Sequence, residues 1–334
     1  MIEMDTGKTV AVVSDGSAVP GLGNVGGRKA LPVIRGKAFL FKEFGGIDAF
    51  PICLDTQDTD EIVESVRHIS PGFDGINLED ISAPRCFEIE KRLSADLDIP
   101  VFHDNQHGTA IAVAAAVLNS FKILKKPLAE VRAVICGAGA SGNAAAKILC
   151  LLGIRDVVVC DSKGILCANR IPEFGEDKLD LIELTNRGGI SGDIEEAVRG
   201  RDLFIGVSKP GVLEKELVRT MGKDPVIFAL ASPEPEILPE AAKEAGAGIV
   251  GTGSPDYPNR VDNALVFPGV FKGAFIAGAT DVTDEMKVAA AYAIADFVKD
   301  KDLTEEHVLP SSAEGVSDSV AKAVADAWKA KNTR

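Results

Sequence analysis

The stretch Arg132-Ala133-Val134-Ile135-Cys136-Gly137-Ala138-Gly139-Ala140-Ser141-Gly142-Asn143-Ala144-Ala145-Ala146 reads as an apolar strand, a glycine turn and the opening of a helix. In this order the first glycine permits the tight turn, the second lets backbone approach a pyrophosphate, and the third allows close helix packing. Free N–H groups at the helix start supply an anion site. Taken alone the pattern is also that of a simple tight turn. Its context decides: the next strand, Asp156 to Cys160, ends in Asp161, at the spacing where a carboxylate receives the ribose hydroxyls of NAD. Lys163 lies close enough to leave NADP possible. Gly137, Ala138, Gly139, Ala140, Ser141, Gly142 and Asp161 are therefore candidate cofactor-binding residues, with Ser208, just past a strand at Asp202 to Val207.

Working outward, further strands at Pro225 to Ala229 and Gly248 to Gly251 fit right-handed crossovers in one parallel sheet. Before it, strands at Thr9 to Ser14, Ala49 to Leu54, Gly75 to Leu78 and Pro100 to His103 alternate with helices at Arg28 to Lys37, Asp58 to Ile69, Pro84 to Leu93 and Thr109 to Ile123. Helical spacing returns at Asp284 to Val298 and Ala313 to Lys329. The expected fold is α/β: an N-terminal α/β substrate and metal domain (1–125), a Rossmann-type doubly wound parallel sheet (126–280), and C-terminal helices (281–334) returning to the first domain. The first strand begins almost at the first residue, so a missing N-terminal segment is expected.

The chain has 334 residues, 46% of them hydrophobic, enough for two cores. Only 5% are aromatic, as expected where parallel strands pack under helices. A net charge of -14 argues against nucleic acid, whose binding calls for a basic patch. Six cysteines without paired metal-ligand spacing suit a reducing cytoplasm. No apolar run reaches membrane-spanning length, and Met1-Ile2-Glu3-Met4-Asp5 lacks the layout of a secretory signal.

Chemistry-bearing residues gather at the ends of two early strands. Glu79 and Asp80 follow Gly75-Ile76-Asn77-Leu78, and Asp104 and Asn105 follow Val101-Phe102-His103. Carboxyl ends of strands are where open α/β sheets place ligands. Mg2+ and Mn2+ want oxygen donors with positions left for water or substrate. Glu79, Asp80 and one oxygen from Asp104 or Asn105 could supply the protein share. His103 and His107, four apart, leave zinc as an alternative. Lys37, beside an apolar segment, is a candidate general base if burial brings its pKa toward neutrality. A divalent metal beside a dinucleotide loop suggests oxidation of a hydroxy acid coupled to loss of carbon dioxide.

At this point the residues resemble malic enzymes of the short bacterial and archaeal type. The matching stretches are Val12-Val13-Ser14-Asp15-Gly16, Gly36-Lys37-Ala38, Phe50-Pro51-Ile52-Cys53-Leu54-Asp55-Thr56, Asn77-Leu78-Glu79-Asp80-Ile81, His103-Asp104-Asn105-Gln106-His107-Gly108-Thr109-Ala110 and Phe267-Pro268-Gly269. The resemblance implies L-malate as substrate, NAD or NADP, Mg2+ or Mn2+, and a homodimer. Lys37 would take the C2 hydroxyl proton, Asp104 would tune it, and pyruvate would be the product. Ser232 and Asn263 would contact substrate. Three departures stand out. Asn105 replaces an aspartate ligand, and Ser232 replaces an asparagine. The tyrosine that protonates the enolate in this family lies upstream of the first strand, whereas the only tyrosines here are Tyr257 and Tyr292.

Overall fold

The structure, a computed structural model, describes residues 8–332. Met1-Ile2-Glu3-Met4-Asp5, on which the reading of no secretory signal rests, lies outside the described residues. The chain forms two compact units.

Unit 1 takes residues 1–108, 264–290 and 312–334. Its elements begin with β1 (Thr9–Ser14), α1 (Gly27–Gly45), β2 (Asp48–Cys53), α2 (Thr59–Ile69), β3 (Gly75–Leu78), α3 (Arg85–Asp96), β4 (Val101–His103) and α4 (Asp104–Ile123), which continues into unit 2. The four strands form one parallel sheet in the order β2-β1-β3-β4. Val10 to Val13 are fully buried, which is why this β-branched run sits at the middle of the sheet. α1 runs eight residues past the expected Lys37, because Gly36 is tolerated inside a helix whose apolar face is buried; Gly46, left-handed at φ 68°, ends it. α2 starts as read, with the Asp58 carboxylate capping the N–H groups of Asp60 and Glu61.

Unit 2 takes residues 109–263 and 291–311. It holds β5 (Arg132–Cys136), α5 (Ala140–Leu151), β6 (Asp156–Asp161), β7 (Gly164–Ile165), α6 (Glu176–Leu184), α7 (Ile194–Val198), β8 (Leu203–Gly206), α8 (Lys215–Val218), β9 (Val226–Ala229), α9 (Pro239–Glu244) and β10 (Ile249–Thr252). The sheet order is β10-β9-β8-β5-β6-β7, parallel except for the short β6–β7 hairpin, which the sequence did not signal. The chain turns one way from β5 to β6 and the other way from β5 to β8, so the glycine turn after β5 stands at the topological switch point. The doubly wound parallel sheet is as expected.

The last helices are α10 (Phe267–Ala277), α11 (Asp284–Phe297) and α12 (Val316–Asn332). α12 packs on α10 within unit 1 at unusually close range. A Cβ on Gly273 would stand 2.5 Å from the Ala321 carbonyl, and one on Gly269 2.6 Å from the Val320 Cβ. Residues 291–311 stay with unit 2 because two buried asparagines hold their backbone. Asn119 donates to the carbonyls of Ala295 and Val308, both at 2.9 Å, and Asn259 donates to Glu305 O and accepts from Val308 N, both at 2.8 Å. The units thus divide at 108/109, 263/264, 290/291 and 311/312, where the sequence reading divides at 125/126 and 280/281. Among the described residues no helix is long and apolar enough to cross a membrane.

Candidate active site

β3 and β4 are parallel neighbours with Leu78 opposite His103. Glu79, Asp80 and Asp104, the residues that follow, therefore leave the same edge of the sheet side by side. Asp104 is itself the first residue of α4, whose start lies five residues ahead of the expected Thr109. Gly108 does not break this helix because the turns that follow, Ala110 to Val117, are packed in the core. All three acids are buried.

Lys37 enters from α1, 7% exposed, and joins them. Its ammonium donates to Asp104 Oδ2 and lies 3.1 Å from Glu79 Oε2. On its other side the fully buried Phe267 ring stands 3.9 Å away, and that ring packs tilted against Phe41 at 4.5 Å between centroids. Burial alone would lower the Lys37 pKa, as the sequence reading supposes, but the charges of Asp104 and Glu79 outweigh it, and the pKa is raised above the ordinary lysine value. Glu79 is held in turn by Asn77, whose Nδ2 donates to Oε2 at 3.0 Å.

Asp80 adopts a left-handed backbone conformation, φ 55°, uncommon outside glycine and stored at functional sites. Three bonds hold it there: its N–H donates to Asn105 Oδ1 at 2.7 Å, its Oδ1 accepts from Asn105 Nδ2 at 3.0 Å, and its carbonyl accepts from Ala18 N at 2.9 Å. Burial first, then the charge of Glu79, raises the Asp80 carboxyl well above the usual carboxylate range. Among the described residues its buried Oδ2 has no hydrogen-bond partner. Two adjacent buried acids, one with an unsatisfied oxygen, suit a hard cation in donor chemistry and in charge. Among the described residues no group of three or more His, Cys, Asp and Glu side chains is arranged to hold a metal ion, the amide of Asn105 being turned onto Asp80.

The two histidines do not combine as a zinc pair. His103 ends β4 inside the core, where burial pushes its pKa down to about 4, and among the described residues neither ring nitrogen has a partner. His107 Nε2 pairs with Glu90 Oε2 at 2.9 Å. Glu90 also accepts from His103 N at 2.7 Å and from Gln106 at 2.9 Å, so it fastens the start of α4. The sequence reading missed Glu90, because a lone acid in a helix carries no local signal, and it named Phe267 only within the stretch Phe267-Pro268-Gly269, with no role beside Lys37.

In unit 2 the glycines divide their labour as the motif requires. Gly137 turns at φ 122°, and a Cβ there would lie 2.5 Å from the Val207 carbonyl. A Cβ on Gly142 would stand 1.7 Å from the Gly137 carbonyl, whereas Gly139 faces open space, as a backbone that receives a pyrophosphate must. Ala140 and Ser141 open α5, and the 2.8 Å bond from Gly137 N to Cys160 O ties the turn to the end of β6 and so to Asp161. The Asp161 carboxylate is not open, however. Arg170 donates to both its oxygens at 2.9 Å, Lys178 donates at 2.8 Å and Lys163 N at 2.9 Å.

Ser208 lies beyond β8, with its N–H donating to Glu236 Oε1 at 2.8 Å; the other carboxylate oxygen accepts from Ala231 N at 3.0 Å. Glu236, fully buried, thereby fixes the loops that carry Ser208 and Ser232. It too escaped the sequence reading. Ser232 is exposed, and Asn263 opens a short 3-10 turn at the end of unit 2's main segment.

Comparison with known proteins converges on one family. The family model for the malic enzyme N-terminal domain matches residues 3–94 and that for the malic enzyme NAD-binding domain matches residues 106–329. A bifunctional malic/malolactic enzyme of Bacillus subtilis is 50% identical over 322 residues, covering 96% of this chain and 78% of that protein. An NADP-dependent malic enzyme of Escherichia coli is 47% identical over 294 residues, 87% of this chain but 38% of that protein. The crystal structure of an NAD-dependent malic enzyme from Thermotoga maritima aligns with TM-score 0.90 and 49% identity, over 96% of this chain and 84% of the other. With half of its residues shared along nearly its whole length, and with both family models satisfied in order, the chain belongs to the malic enzyme family.

Proposed function

We propose that this chain oxidises L-malate and decarboxylates the product to pyruvate and carbon dioxide, with NAD or NADP taking up the hydride. The observation that carries the reading is Lys37, buried between Asp104 and Glu79, with Glu79 followed directly by Asp80, whose Oδ2 has no hydrogen-bond partner among the described residues. Lys37 moves the proton of the C2 hydroxyl, and Asp104 and Glu79 govern which protonation state it holds. Phe267 keeps water from the ammonium's far side. Glu79 and Asp80, with Asp104 or Asn105, would hold Mg2+ or Mn2+, which supplies Lewis-acid polarisation of the substrate oxygens. Gly137 to Gly142, Ser208 and the groups around Asp161 bind the dinucleotide, and Ser232 and Asn263 contact substrate. Six free thiols support a cytoplasmic setting. The homodimer rests on family likeness, since the face that α12 buries is taken up by α10.

A second reading has its own support. Lys37 held protonated between two acids suits a proton donor, and the chain would then carry partial chemistry: keto-acid reduction or oxaloacetate decarboxylation. The test incubates the purified chain with L-malate, Mn2+ and either dinucleotide and follows reduced cofactor and pyruvate together. Both products rising in step support the proposal, and one without the other supports partial chemistry. Dinucleotide binding with neither product would leave a non-catalytic paralogue.

A further inference from the structure

The carboxylate that ends β6 is the feature from which NAD preference is ordinarily argued: an acid there receives the ribose hydroxyls and repels a 2′-phosphate. Here that role is already filled from the protein. Asp161 accepts four hydrogen bonds, from the Arg170 Nη2 to each oxygen, from Lys178 Nζ and from Lys163 N. An ionised carboxylate offers about four acceptor sites. None remains for a ribose diol unless a cation is displaced.

The balance of charge points the same way. Lys163 pairs with Glu173 at 2.9 Å, and Arg170 lies 3.5 Å from the same acid. Three cations thus face two carboxylates, leaving the cluster positive although the chain as a whole carries -14. The Arg170 guanidinium is built in rather than free: its Nη1 donates to the carbonyls of Gly164 at 3.0 Å and Ile165 at 3.1 Å, and its side chain is 15% exposed. Phe174 lies under both cations, 5.1 Å from Arg170 and 5.6 Å from Lys178. The tie between Gly137 and Cys160 sets this cluster beside the phosphate-binding turn, where the adenosine ribose of a bound dinucleotide lies.

We propose that Arg170 and Lys178, gathered on Asp161, form an acceptor for a ribose 2′-phosphate, so that the chain binds NADP at least as tightly as NAD. This rests on the dehydrogenase reading above and deepens it by assigning the residues that choose the dinucleotide. With four of its five N–H groups engaged, the Arg170 guanidinium offers a phosphate its Nε–H and its fixed charge, and Lys178, which spends one of three N–H groups on Asp161, adds the remaining ammonium donors.

Direct titration of the full chain with NADP and with NAD, by calorimetry, tests this without requiring turnover. The expected result is an NADP dissociation constant equal to or below that for NAD. Arg170→Gln and Lys178→Gln should each weaken NADP about tenfold at low salt, the scale of one lost charge-assisted bond, and NAD less than about threefold. Lys178 is the more exposed of the two, so Lys178→Gln keeps the test open if Arg170→Gln fails to fold. NAD bound ten times more tightly than NADP, or variants that weaken both alike, would overturn the assignment and leave the dehydrogenase reading standing. Binding of neither dinucleotide would overturn both.

Discussion

Lys37 is the residue on which charge balance in unit 1 turns. It is the cation shared by Asp104 and Glu79, and all three side chains are at most 7% exposed. Removing one partner of a buried pair leaves the others uncompensated, at a cost of about 3–5 kcal/mol, and loss of a proton-transfer group costs about 10²- to 10⁴-fold in rate. Lys37→Met is expected to lose both, while still binding dinucleotide; titration, denaturation and turnover of one preparation check it, and undiminished turnover removes Lys37 from the mechanism. His103 yields a prediction in pH. Burial, opposed by Glu90 and Glu79, lowers its folded pKa from 6.5 to about 4. Between those values the unfolded chain binds the extra proton, so stability is fully present above about pH 6.5 and drains away toward pH 4, by about 3 kcal/mol. His103→Leu should flatten that slope in denaturant titrations across pH 4 to 7. An unchanged slope would assign the acid sensitivity elsewhere.

At the scale of elements, what was legible in the sequence is what local chemistry writes. β1, β3 and β5 have the ranges read for them because their apolar runs end in turn residues. α1 and α4 were misjudged at a glycine each, Gly36 and Gly108, because packing on the core overrides a local penalty of about 1 kcal/mol. β7 is only two residues long, too short for any period to show. The acids at the strand ends could be read; Glu90, Glu236, Arg170 and Lys178 could not, nor could the place of Phe267 beside Lys37, since each acts on a group that only the fold brings near. The α10–α12 contact belongs here. α10 begins with Phe267 beside Lys37, and α12 fits against it only where Gly269 and Gly273 have no side chain. Gly273→Ala should therefore cost about 1–3 kcal/mol by overpacking against the Ala321 carbonyl and Val324. It should also reduce malate oxidation through Phe267 while dinucleotide affinity stays put. A destabilised variant with undiminished turnover would show that the helix pair does not support the lysine through packing.

For the whole molecule, the decisive property is that its two kinds of chemistry sit on different units. The carboxylates and Lys37 belong to unit 1, and the glycine turn, Asp161, Arg170 and Glu236 belong to unit 2; α4 carries the chain from one to the other. A ligand that binds only the folded state stabilises it by RT ln(1 + [L]/Kd), about 2.7 kcal/mol at a hundredfold excess over Kd, and does so first where it binds. Hydrogen exchange followed by mass spectrometry should then separate the two. Mn2+ is expected to slow exchange in peptides covering Gly75 to Asp80 and the first turn of α4, because Asp80 gains a partner for its buried Oδ2. NADP is expected to slow exchange in peptides covering Gly137 to Gly142 and Asp161 to Lys178. Both effects follow from local opening being suppressed wherever a ligand closes backbone that was free to exchange. If Mn2+ protected only the second set of peptides, the assignment of Glu79 and Asp80 to a cation would fall, and with it the reason for their burial as neighbours.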